Sequence, residues 1–483
     1  MRAELSREFA AKSYCLVEAA AGCGKTELIA DAVTHNSEGC QLVLTHTHSG
    51  VRALRERLKK RGVSHNRCRV ETIAGFALRY ASSFPVLSGC TVTEPADNSE
   101  YQQIYGAATR VLQRRHVRDI VTASYRGLYV DEYQDCTASQ HRIILQLAEL
   151  VPTRVVGDPL QSIFGFAKDD PLPDWEADVC AVFNRYDTLT TPHRWKDSNP
   201  ELGSWLEKAR RCLLKGEQIT IDPAGPVKLI PVQDDRNPWR QQINACKYHK
   251  AAQTESVLVI RKESRQAHNL AKRLEGRFRS MEEMECRDLM RLCGELEGAS
   301  GNARAGVVLR FALDCMTSPP DMLHELCNNL AKNQHPTASQ FKRYAPIKEV
   351  LLAVANSQRA SLIGDALQVI KELPGTTLYR RELYNEALRT MRNHDDSSGE
   401  ALRRTAWRTR AKTRQVGRSN DSRLVSRTLL VKGLEFDHVI IADISDFAGD
   451  AKQLYVALTR GKRSLTVLSS SPTIWTPGST VSR

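Results

Sequence analysis

The sequence predicts an α/β protein built on parallel sheets, and three observations carry that prediction. Between residues 1 and 200, short apolar runs alternate with stretches of helical periodicity, the pattern of successive β-α-β units. A turn of small residues, Gly22-Cys23-Gly24-Lys25-Thr26, joins one such run to a helix-like continuation through Leu28, Ile29 and Ala30. At 483 residues the chain exceeds one ordinary domain, so roughly two to four are expected.

The first run, Cys15–Val17, leads through Ala19, Ala20 and Ala21 into that turn. A strand that turns sharply into a helix offers backbone N–H groups and the positive helix end to an anion, and small residues let phosphate approach the backbone. Lys25 is expected to reach the β/γ-phosphates of a nucleotide, and the Thr26 hydroxyl to ligate Mg²⁺. Ala19 stands where the general phosphate-loop pattern has its first glycine.

The second run, Gln41–Leu44, ends in Thr45-His46-Thr47-His48-Ser49-Gly50-Val51. A helix follows with Leu54 and Leu58 inside and Arg52, Arg55 and Arg57 outside. Hydroxyls and imidazoles at a strand end, opening a basic helix, suit phosphate contacts; a polar turn with a solvated helix face is the other reading. The third run, Leu128–Val130, delivers Asp131-Glu132-Tyr133-Gln134-Asp135. Beside a phosphate loop, Asp131 would hold Mg²⁺ through water and Glu132 would orient and deprotonate an attacking water. The fourth run, Arg154–Val156, opens Gly157-Asp158-Pro159-Leu160-Gln161-Ser162-Ile163-Phe164-Gly165-Phe166. All these residues fall at the carboxyl ends of strands, where parallel sheets bind ligands.

A formal net charge of +13 points to a polyanionic partner, nucleic acid first. No stretch approaches the ~18 apolar residues of a membrane span, so no membrane partner is expected. The thirteen cysteines form no C-x-x-C pair and no Cys/His cluster at metal spacing. Reduced thiols in a cytoplasm are expected, with neither zinc nor an iron–sulfur cluster.

GCGKT, DEYQD and GDPLQSIFGF, in this order and spacing, resemble the UvrD/Rep-like branch of superfamily 1 DNA helicases. The resemblance resumes at Leu189–Trp195, at Lys432–Phe436 and at Leu454–Arg460. It implies two RecA-like P-loop domains with helical insertions, clamping ATP and Mg²⁺ between them. Single-stranded DNA, or a duplex with a single-stranded tail, would cross their top. By the same resemblance Gln161 senses the γ-phosphate, Arg194 and Arg460 approach it from across the cleft, and Glu435 holds the ribose. Phe164 and Phe166 would stack on DNA bases, and Thr45 and His46 would lie along the strand. The implied layout is a first domain over 1–190 with a short insert at about 75–125. A second domain spans 191–285 and 415–483, split by a helical insertion at 286–414. Near the end of that insertion, Arg403–Arg410 with Trp407 reads as a nucleic-acid track or a solvated linker face.

Departures from the family pattern matter. Phe9 lies where an adenine-reading glutamine is usual, and His193 replaces the tyrosine that stacks on adenine. Arg427 and Leu429 replace the threonine and histidine ahead of KGLEF. The expected activity is ATP-dependent translocation and unwinding of DNA with 3′-to-5′ polarity. The compact layout also resembles the helicase-like subunit of Gabija-type antiviral systems, which implies a DNA-sensing ATPase that regulates a nuclease partner and unwinds poorly. A small-molecule P-loop kinase is disfavoured by DEYQD, QSIFGF and the late arginines.

Overall fold

The structure, a computed structural model, describes residues 2–36, 39–95, 97–165, 169–232, 237–283, 286–332, 345–416 and 421–476. Six strands form the first sheet: β1 (Tyr14–Ala19), β2 (Gln41–Thr45), β3 (Cys68–Thr72), β4 (Gly127–Val130), β5 (Thr153–Gly157) and β6 (Arg185–Leu189). All neighbours are parallel, in the order β3-β2-β4-β5-β1-β6. Successive side chains point to opposite faces, so each inner strand feeds two cores. Leu16, Leu42, Leu128 and Val155 pack with the helices Ile73–Ser83, Asn98–Leu112 and Ala138–Ala148. Val17, Val43, Tyr129 and Val156 pack on the other face with α1 (Arg2–Ala11), α2 (Lys25–His35) and α3 (His48–Lys60). The helices between β3 and β4 therefore share the core of the sheet rather than forming a body of their own.

A short antiparallel pair joins β7 (Ile219–Thr220) to a strand near the end of the described chain. The second sheet begins with β8 (Val227–Pro231), β9 (Val257–Arg261) and β10 (Arg279–Ser280). After it the chain enters a helical body with a two-stranded ribbon, β11 (Met316–Thr317) and β12 (Thr377–Leu378). It returns through β13 (Arg423–Arg427), β14 (Phe436–Ile441) and β15 (Gly461–Ser469), and β16 (Thr473–Trp475) then pairs with β7. The order β10-β13-β9-β14-β15-β8 is again parallel throughout. Two six-stranded parallel sheets flanked by helices make two RecA-like units.

Helices from Arg287–Gly298 to Leu402–Val416 enclose a separate core that includes Leu289, Leu309, Leu367, Tyr384 and Ala406. In the last helix Arg410 is buried, and it pairs with Glu382 at 2.9 Å and with Glu386. Arg404 and Arg408 both pair with Glu400, and Arg403 lies 3.9 Å from Glu297. Much of the basic run is thus neutralised within the helical body. A buried guanidinium is tolerated because carboxylates meet it.

Candidate functional site

The phosphate loop forms as its residue types require. Gly22 and Gly24 take left-handed φ values of 71° and 91°, and Gly24 precedes the first turn of α2. A Cβ on Gly22 would sit 2.7 Å from the Trp195 ring, so glycine is demanded there twice, by backbone angle and by space. Cys23 is buried, and burial pushes its thiol up to about 11. Lys25 donates to the Ala19 carbonyl at 3.1 Å, which folds its ammonium back over the loop.

Two strands bring the metal candidates together. The Thr26 hydroxyl, at the start of α2, donates to Asp131 Oδ2 at 3.1 Å, at the end of β4. Asp131 is buried, and burial together with the neighbouring Glu132 carboxylate raises its pKa. Burial works the same way on Glu132, but Lys25, Lys432 and the Gln134 amide outweigh it and lower the pKa. One carboxyl of the adjacent pair is pushed up and the other down, the usual outcome when two carboxylates share a site. Glu132 adopts φ 57°, a left-handed conformation costing of order 1–3 kcal/mol for a non-glycine residue. Gln134 fixes that geometry by donating to Glu132 at 2.5 Å while its oxygen accepts the Asp158 N–H at 2.9 Å.

Residues from the second unit close over this centre. Arg194 donates to the Thr459 carbonyl at 2.6 Å and pairs with Glu435 at 2.8 Å; its Nε is buried without a partner. Arg460 is 1% exposed. Its hydrogen bonds go to the Val456 and Leu434 carbonyls and the Thr459 hydroxyl. Burial and then Arg194 push its pKa down, yet an arginine stays charged at neutral pH. The Arg460 hydrogen bonds all go to neutral groups, while the Glu435 and Glu132 carboxylates act on it through space. Glu435 pairs with Lys462 at 3.1 Å as well as with Arg194. Gln161 is buried, and its amide donates to Asp158 Oδ2 at 2.7 Å.

Sequence reasoning gave no role to the groups that join the two units. Trp195 packs over Gly22 and donates to the Gly461 carbonyl at 2.6 Å. Arg210 forms a buried pair with Asp158 at 2.7 Å. Lys432 reaches across to Asp135 and the Gln161 carbonyl. Ala21 and Leu160 share an apolar cluster with Trp195, Leu202 and Tyr455. Trp195, Lys432 and Tyr455 stand inside motif stretches, which was the available signal; Arg210 had none.

At the neighbouring strand ends, Phe164 is half-buried, its ring 5.7 Å from that of His46 and 5.0 Å from the Lys432 ammonium. His46 Nδ1 is buried without a partner, and burial, then Lys432, lowers its pKa to about 4. Thr45 is 1% exposed beneath the start of α3, so in this conformation it offers no surface to a strand of DNA. Phe166 lies outside the described residues. Phe9 belongs to the apolar core, its ring 5.9 Å from Tyr129.

Two RecA-like units bring a phosphate loop, a carboxylate pair and two arginines together, a set of groups able to hold a nucleotide phosphate with a divalent cation. Residues 90–172 match the UvrD/REP helicase N-terminal domain, and residues 430–468 match the UvrD-like helicase C-terminal domain. The matches lie one in each unit and together span about a quarter of the chain. No curated protein matches the chain. Among solved structures, an arterivirus nonstructural protein 10 (helicase) is similar at 10% identity and TM-score 0.36, over 97% of this chain and 62% of that one. The Pif1 helicase from Candida albicans is similar at 11% identity and TM-score 0.28, over 52% and 54%. The chain thus spans less than two thirds of either structure's length.

Proposed function

We propose that the chain hydrolyses ATP in the cleft between its two units, driven by single-stranded DNA, and moves along that strand 3′ to 5′ with unwinding of duplex ahead. The placement of the two arginines carries the reading: the Arg194 backbone N–H donates to the Gly22 carbonyl of the phosphate loop at 3.1 Å, and buried Arg460 lies close enough to Arg194 and Glu132 to feel both charges. The site residues also fit Mg²⁺: Thr26 and Asp131 are already in contact, and both are hard oxygen donors. Bound Mg²⁺ would neutralise charge on the phosphate oxygens.

The chain's own residues supply the rest. Lys25 leaves the Ala19 carbonyl for the phosphates, and the loop N–H groups cradle them. Glu132, kept ionised by Lys25 and Lys432, accepts a proton from the attacking water. Arg194 and Arg460 stabilise charge on the transferred phosphoryl group only when the units are together, which couples hydrolysis to closure. Gln161, beside Phe164, links the phosphate end to the DNA face.

The deciding measurement is ATP turnover with and without single-stranded DNA, alongside Lys25→Ala and Glu132→Gln. Strong stimulation is expected in the parent. Lys25→Ala should lose nucleotide binding, and Glu132→Gln should bind ATP yet hydrolyse it ~10² times more slowly or worse. Turnover indifferent to DNA, or an active Glu132→Gln, would overturn the reading. A second reading is a DNA-sensing ATPase subunit of an antiviral complex that regulates a nuclease. It is favoured by Arg427 and Leu429 ahead of Lys432, and by Phe9 lying in the core. Weak unwinding alongside strong DNA-stimulated hydrolysis would select it.

A further inference from the structure

Asp158 meets four polar partners, and one of them belongs to the other unit. The residue follows β5 and is 0% exposed. Its Oδ1 accepts the Leu160 N–H at 3.3 Å and the Arg210 guanidinium at 2.7 Å, and its Oδ2 accepts the Gln161 amide at 2.7 Å. Its own N–H donates to Gln134 Oε1 at 2.9 Å. Both oxygens face donors, so the group is a carboxylate, and Arg210 is the one cation paired with it among the described residues.

The two side-chain amides on Asp158 both lead to the phosphate end of the cleft. Gln134 uses its oxygen on Asp158 and its NH₂ on Glu132, so the carboxylate that accepts the water proton is oriented through Asp158. Gly157 leaves Gln134 its place, since a Cβ there would stand 2.9 Å from Gln134 Oε1. Gln161 gives one N–H to Asp158, which fixes the amide plane and leaves a second N–H and an oxygen for a γ-phosphate. Arg210 itself comes from the helix Pro200–Lys215, packed in the second unit through Leu202, Leu206 and Leu213 beside Val227, Leu258 and Val439. Its guanidinium is buried, 5.4 Å from the Tyr455 ring. Asp158 therefore has its counter-ion only while the second unit is seated on the first, and separating the pair strands both charges.

We infer that Arg210 is a positioning residue for ATP hydrolysis: reaching over from the second unit it holds Asp158, and through Asp158 it sets both Gln161 and Glu132. This role rests on the ATPase reading and adds to it a second route from closure to chemistry. Arg194 and Arg460 act on the transferred group directly. Arg210 instead acts through the side chain that senses the γ-phosphate and the one that takes the water proton. An ion pair that only fastened the units together would need neither amide. Here both amides that reach the cleft are bonded to the residue Arg210 holds.

Steady-state ATP hydrolysis on single-stranded DNA, read with thermal unfolding of the full chain, tests the role. Arg210→Met should lower kcat about tenfold or more while KM for ATP changes less than about threefold, because misplacing catalytic groups by about 1 Å can cost ~10²-fold in rate. The same change strands the Asp158 carboxylate and lowers the melting temperature, so the double variant Arg210→Met with Asp158→Asn separates the two effects. With both charges gone, most of the melting temperature should return. The low kcat should persist, since Asp158→Asn puts an NH₂ where one oxygen stood and the Gln161 amide loses its acceptor or turns over. Recovery of kcat together with stability in the double variant would reduce the pair to a fastening and overturn the role. So would an Arg210→Met protein that turns over ATP at the rate of an active parent. A parent without ATP turnover would instead overturn the ATPase reading, and this role with it.

Discussion

The Tyr455 hydroxyl accepts the Ala21 backbone N–H at 3.1 Å, tying the phosphate loop to a helix that lies 434 residues further along the chain. The ring lies 5.4 Å from the Arg210 guanidinium, itself paired with Asp158. One hydroxyl thus connects the start of the loop to the second unit. Tyr455→Phe keeps the ring and leaves a buried N–H without an acceptor, at a cost of about 1–3 kcal/mol. The expected result is a lower unfolding midpoint and a raised KM for ATP, with kcat changed less. An unchanged KM would show that the loop holds its shape without the bond.

Across the same seam, Lys432 and Asp135 form a buried ion pair, 5% and 3% exposed. Removing one partner strands the other, whereas replacing both with apolar groups of similar size is often tolerated. Lys432→Met alone should destabilise by roughly 3–5 kcal/mol, and adding Asp135→Leu should recover most of that loss. Denaturant unfolding of the four proteins in the cycle reads the coupling directly. Additive losses would mean that the two groups do not depend on each other.

Acid should loosen the strand-end cluster. His46 is held neutral by burial, then by Lys432, with Glu132 as the opposing charge, and its pKa falls from the ordinary 6.5 to about 4. Below pH 6.5 the unfolded chain takes up a proton that the folded chain refuses. This contribution is therefore complete above pH 6.5 and is lost as pH falls toward 4. Half-buried His268 is pushed the same way by desolvation and then Arg380, against the opposing Asp288 and Glu283 carboxylates. His46→Gln should flatten the decline in unfolding free energy between pH 6.5 and 4 by at most about 3 kcal/mol. An identical pH slope in the variant would show that His46 is already charged in the folded protein.

What the sequence revealed, and what it hid, follows from burial. β1, β2, β4 and β5 stand out as apolar runs because they lie inside the sheet, covered on both faces. β3 and β6, Cys-Arg-Val-Glu-Thr and Arg-Tyr-Asp-Thr-Leu, are the two edges, and their exposed charged residues break the run that would announce a strand. The phosphate loop and the carboxylate pair were readable because their chemistry is written in consecutive residues. The Asp158–Arg210 pair was not, since it exists only once the second unit folds over the first. The burial of Arg410 was hidden for the same reason: its neutralising acids, Glu382 and Glu386, sit on another helix, while Arg403, Arg404 and Arg408 keep the exposure of a solvated face.

Phe164 tests whether the cluster at the strand ends is a DNA surface or packing. Its ring is half-buried between His46 at 5.7 Å and the Lys432 ammonium at 5.0 Å, with one part open. Stacking on a base contributes roughly 1–3 kcal/mol, so Phe164→Ala should raise the single-stranded DNA needed for half-maximal ATPase stimulation about tenfold. Basal hydrolysis should stay close to the parent rate, because the ring touches no phosphate-loop residue. Phe164→Trp, which keeps an aromatic face, should restore most of the stimulation, and affinity should fall with salt in parent and variant alike. A variant that melts earlier but responds to DNA at the parent concentration would mean that the ring serves the fold, and the DNA path would then have to be sought elsewhere on the two units.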